Sequence, residues 1–109
     1  MKKIEAVIVP SKLKTVRAEL ARRGIRSALT LTEVQHADAR KISLSPEQET
    51  GEFLEDRLKV ELFVGDRQAP KAMEVMIECA KGPANGTDGQ VALLKVSEAL
   101  QILPALPNH

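Results

Sequence analysis

The chain has 109 residues, 43% of them apolar, which is enough for one soluble domain with a single core and too few for two. Aromatics are confined to Phe53 and Phe63 and the net charge is only +1, although ten Lys/Arg face four Asp/Glu over residues 1–41 and six face eleven over residues 42–109. A basic stretch without stacking aromatics does not predict nucleic-acid binding; the absence of any membrane-length apolar run or signal-peptide pattern, with the lone Cys79, predicts a cytoplasmic protein with no membrane insertion.

In chain order, residues 2–9 alternate as a strand, with Ile4, Ala6 and Ile8 on one face. Pro10 ends it, and Ser11 is placed to cap a helix in which Leu13, Val16, Leu20 and Ala21 recur at helical spacing. Lys12, Lys14, Arg17, Arg22 and Arg23 give that helix a basic, solvated face, and Gly24 is its natural stop. Residues 27–35, rich in Leu, Thr and Val, read as a second strand. Residues 36–56 break the pattern with Ser45-Pro46, Gly51 and six acids against two bases, and read as a long loop.

Residues 58–64 form a third strand, Gly65-Asp66 turns the chain, and Ala69, Ala72, Met73, Met76, Ile77 and Ala80 mark the best helix in the sequence. Cys79 falls off that apolar stripe. The stretch 81–90, Lys-Gly-Pro-Ala-Asn-Gly-Thr-Asp-Gly-Gln, gathers three of the six glycines between the helix and a last strand at 91–96. Such a loop is either a helix stop followed by the turn dipeptides Asn85-Gly86 and Asp88-Gly89, or a backbone cradle for an anion. Residues 97–100 are expected to form one helical turn.

The order β-α-β-loop-β-α-β predicts an α+β, ferredoxin-like βαββαβ sandwich, a four-stranded antiparallel sheet with both helices on one face. Residues 1–103 make the single domain and 104–109, with Pro104 and Pro107 at its near end, a flexible tail. The face without helices is expected to expose Val7, Val9, Leu29, Leu31 and Phe63, and therefore to be buried by self-association.

The residues that carry a family likeness are the opening Met1-Lys2-Lys3-Ile4-Glu5-Ala6-Val7-Ile8-Val9-Pro10, then Lys12-Leu13, Val16-Arg17 and Gly24-Ile25. Thr30-Leu31-Thr32-Glu33-Val34, Phe53-Leu54, Lys59-Val60-Glu61-Leu62-Phe63-Val64 and Thr87-Asp88-Gly89-Gln90 continue it. Over nearly residues 1–101 the chain resembles the P-II nitrogen-regulatory signalling family. The resemblance implies a non-catalytic homotrimer that binds an adenine nucleotide (ATP, ADP or AMP) in the clefts between subunits. Some members also sense 2-oxoglutarate alongside Mg-ATP. The long loop, here 36–56, would dock on a protein partner, a membrane transporter or a metabolic enzyme among the choices.

By the same likeness the nucleotide site falls on Thr30, Arg40, Arg57, Gly86, Thr87, Asp88, Gly89 and Gln90, and the effector loop carries Arg40, Lys41, Ser43 and Ser45. Several positions depart from the family pattern. Gln90 stands where the family has Lys, Gln101 and Leu103 approximately where it has Arg, and Pro83-Ala84 where it has Thr-Gly. Three positive charges are thereby lost from the pocket, at roughly 1.5–3 kcal/mol for each charge-assisted contact, so AMP or ADP suits it better than ATP. With no Tyr in the chain, the family's uridylylation switch cannot exist here. A second reading keeps the fold but not the ligand: a CutA-like or other stable trimer with a dead nucleotide cleft, possible metal linkage resting only on His36 and nearby acids. No clustered metal-ligand set and no hydrolase, zinc-protease or Walker pattern supports catalysis.

Overall fold

A computed structural model of the chain describes residues 1–37, 54–81, 89–100 and 102. Four strands, β1 (Lys2–Ile8), β2 (Thr30–Ala37), β3 (Leu54–Val64) and β4 (Gln90–Lys95), alternate with helices α1 (Leu13–Arg22) and α2 (Ala69–Ala80). The strands form one antiparallel sheet in the order β2-β3-β1-β4, the ferredoxin-like arrangement.

β1 and β3 lie in the middle of the sheet, and their alternation shows which face the helices cover. Ile4, Ala6 and Ile8 pair across to Leu62, Val60 and Leu58, and all six are buried. Val16 and Leu20 from α1 and Ala72, Val75 and Met76 from α2 complete an aliphatic core. Fully burying a side chain of this size is worth roughly 1.5–3 kcal/mol, and a sheet with one covered face needs little else to fix its register. Cys79 is in this core, buried at the α1 side of α2, and burial pushes its thiol above the usual range.

Local chemistry explains the helix ends. Ser11 does not cap α1: a 3-10 turn over Pro10–Lys12 precedes the helix, whose N-cap is Lys12 with no side-chain bond. Gly24 ends α1 in the left-handed region at φ 76°, with Gly24 N–H bonded to Ala21 O at 3.0 Å and Ile25 N–H to Leu20 O at 2.9 Å. These two bonds are those of a Schellman cap, and the buried pair Leu20 and Ile25 supplies its apolar contact. Ala21 is exposed. Arg23 joins the helices through Glu74 at 2.6 Å, and the Ser27 hydroxyl donates to Phe63 O at 2.8 Å, tying the segment before β2 to the end of β3.

Besides Ser11, and Cys79, which was expected off the apolar stripe of α2 and is in the core, three further sequence expectations need correction. Both strands that flank the long loop run into it, β2 to Ala37 and β3 from Leu54, because the pairing His36↔Glu55 and Ala37↔Leu54 continues the ladder. Residues 97–100 form no helical turn. Leu31 pairs with Val60 on the helix-covered face and Leu29 packs on the core, so neither belongs to the bare face. That face instead carries Val7, Phe63, Val34, Ala92 and Leu94 around six charged residues, Lys3, Glu5, Glu55, Arg57, Lys59 and Glu61.

Candidate functional site

Antiparallel pairing brings the C-terminal ends of β1 and β2 and the N-terminal ends of β3 and β4 to one end of the sheet. Here the chain leaves β2 at Ala37 and re-enters β3 at Leu54, and α2 closes at Ala80 before Gly89 and β4. Of the eight residues expected in the nucleotide site, Arg57, Gly89 and Gln90 are placed together at this end. Arg40, Gly86, Thr87 and Asp88, and the loop residues Lys41, Ser43 and Ser45, lie outside the described residues.

Gly89 has a packing reason to be glycine. Its N–H donates to Ala80 O at 2.6 Å, and a Cβ built on it would drive into the Val7 carbonyl oxygen. The residue is therefore the point where the chain squeezes between the end of α2 and β1. Gln90 follows, exposed, in register with Val7.

Arg57 faces away from the helices, opposite Val34, and is only 7% exposed. Its guanidinium donates to Asp56 O at 2.8 Å and to the Glu55 carboxylate. Strand geometry sets this up, since residues two apart share a face. Thr30 is elsewhere: it pairs with Glu61, four residues along β3 from Arg57, about 13 Å at the rise of a strand. Within one chain the two cannot touch the same small group.

Between them lies a set of ion pairs that the sequence reading missed. Lys3 Nζ is 3.0 Å from Glu5 and 2.8 Å from Glu61, and Lys59 Nζ is 3.9 Å from each of the same two acids. Lys3 also lies over the Phe63 ring, 5.9 Å from its centroid. Hydrogen bonding to Lys3 holds the Glu61 carboxyl below its usual range, and bonds to Glu61 and Glu5 raise the Lys3 ammonium above its own. The signal was present in the alternation Lys3/Glu5 and Lys59/Glu61, opposite charges two residues apart on paired strands. Glu55 and Arg57 carry the same signature.

A separate open cavity of about 340 Å³ sits on the helix side beside β2, lined by Arg17, Leu20, Ile25, Leu29 and Leu31, and shares no residue with this end of the sheet. Among the described residues no group of three His, Cys, Asp or Glu could hold a metal ion.

The family model for nitrogen regulatory protein P-II matches residues 1–104 of the chain. The chain belongs to the P-II family. It is 35% identical over 112 residues to the nitrogen regulatory protein P-II of Haemophilus influenzae, covering 100% of this chain and 97% of that one. The cyanobacterial protein of the same name from Nostoc punctiforme is 33% identical over 105 residues, 94% of this chain and 91% of its own. That of Pyropia yezoensis is 29% identical over the same share of each. Membership accounts for the ferredoxin-like topology and makes this P-II chain a regulatory signalling protein. No helix among the described residues is long and apolar enough to cross a membrane.

Proposed function

We propose that this P-II chain acts as a non-catalytic, cytoplasmic homotrimer that binds an adenine nucleotide between subunits and controls a protein partner through residues 36–56. The observation that carries the reading is the shared end of the sheet. Arg57, Gly89 and Gln90 stand there, and the segments 38–53 and 82–88 both start and finish there. A ligand at that end would touch both segments at once, which is what coupling ligand to partner requires. Thr30, at the far end of β2 opposite Glu61, would then serve the site of a neighbouring copy.

The bare sheet face, with Phe63 and Leu94 each 40% exposed or more, supports burial by self-association. Gln90, in place of the family's Lys, favours ADP or AMP over ATP, because each missing cation leaves phosphate charge uncompensated. Calorimetric titration with ATP, ADP and AMP tests the nucleotide reading: binding of ADP or AMP more tightly than ATP is expected, and flat traces for all three at millimolar ligand would overturn it. Pull-down with and without the nucleotide, using chain deleted of 38–53 as the control, tests the loop.

A further inference from the structure

The helix layer does not close over the β2 edge of the sheet. Leu31 faces that layer through its pairing with Val60 and is still 44% exposed. Beside it, the open cavity of about 340 Å³ has the buried pair Leu20 and Ile25 as its floor, with Leu29, Leu31 and the exposed Arg17 around them. An apolar cavity of about 150 Å³ takes a six-carbon ring, so this one has room for two aliphatic side chains. After β4 the chain carries the matching feature. Leu100 and Ile102 are the two most exposed large apolar side chains among the described residues, at 83% and 94%. Glu98, Leu100 and Ile102 are spaced two residues apart, so an extended segment puts one acid and two aliphatics on one side.

We infer that Leu100 and Ile102 of a second copy of this chain fill the cavity beside β2, with Glu98 of that copy against Arg17. The inference rests on the self-association proposed above and names the parts that meet. The sheet order puts β2 and β4 at opposite edges, about 14 Å apart at ~4.8 Å per strand. Both features lie at the same end of the sheet: β4 finishes opposite Lys2, and Ser27, before β2, is bonded to Phe63 O beside Val64, the other partner of Lys2. A chain filling its own cavity has to carry the segment across the two strands between, whereas a neighbour set edge to edge delivers it directly. Donor and acceptor are different surfaces, so the contact is head-to-tail. Every copy gives one segment and takes one, and a rotation that closes makes a ring. Glu98 and Arg17 are both exposed, and a pair of that kind fixes register more than strength.

The test is disulfide trapping in the full chain. Two double variants, Leu31→Cys with Leu100→Cys and Leu29→Cys with Ile102→Cys, are treated with oxidised glutathione and run on non-reducing denaturing gels. The four single variants run beside them, each retaining the buried Cys79. Thermal melts establish which variants fold, and either pair suffices. Covalent species of two and three chains are expected from a double variant and not from the single ones. Leu100→Glu combined with Ile102→Glu is expected to weaken association about tenfold or more, read by light scattering on dilution. A disulfide closed within one chain, seen as a shifted monomer band, overturns the inference, because the segment then fills its own cavity. Cross-linking as strong in the single variants also overturns it. No disulfide in a folded pair, with the wild type at the mass of three chains, overturns it and leaves self-association intact. A wild type at the mass of one chain overturns both.

Discussion

Gly89 and Arg57 stand at the same end of the sheet and are constrained in opposite ways, one by lack of space and the other by need of a partner. Replacing Gly89 with Ala puts a methyl into the Val7 carbonyl, so the backbone there has to shift. We expect Gly89→Ala to lose about 1–3 kcal/mol in urea denaturation, whereas a glycine serving only loop freedom would lose less. The charges on the sheet face give a pH signature. Lys3 lowers the Glu61 pKa from an ordinary 4.5, so the stability this acid contributes is present above about pH 4.5 and is lost as pH falls through its folded value. Lys3 is raised above 10.5, so its contribution holds below that pH and is lost as pH rises through the higher folded value. Melting temperatures of wild type and Glu61→Gln should therefore differ at neutral pH and converge in acid. Parallel curves down to pH 2 would mean that the pairing adds nothing.

At the scale of elements, the two helices and four strands were legible because one covered sheet face imposes period two on β1 and β3 and period 3.6 on α1 and α2. Gly24 was legible as a stop for a physical reason, the left-handed φ of 76° that completes the cap of α1. Gly24→Ala should cost about 1–2 kcal/mol by the left-handed penalty, read as a lower midpoint with unchanged denaturant slope. Ser11→Ala should cost almost nothing, because Ser11 caps no helix. What escaped the sequence were pairings between elements. Leu31 was assigned to the bare face because an odd shift of register reverses every side chain on a strand, and only the pairing with Val60 fixes which face it takes. The ends of β2 and β3 were hidden by polar composition, since a ladder edge such as His36 opposite Glu55 needs no apolar residue to pair. Gly89 drew notice as part of a phosphate cradle, while its contact with Val7 depends on how α2 returns to β1 and leaves no local trace.

At the scale of the molecule, the family match over residues 1–104 underlies the proposal of a trimer with its ligands between subunits, and that proposal has a readout in mass. Light scattering should return the mass of three chains, and Phe63→Glu, across Lys3 from Leu94 on the sheet face, should return a smaller species. The ion pairs at the centre of that face have a consequence for assembly. Lys3 and Lys59 against Glu5 and Glu61 are two cations and two anions satisfied within one chain, so the patch presents no net charge to a neighbour. A contact made through such a patch gains little from long-range attraction between copies and loses little when salt screens it. Raising ionic strength should leave the subunit stoichiometry of this chain almost unchanged.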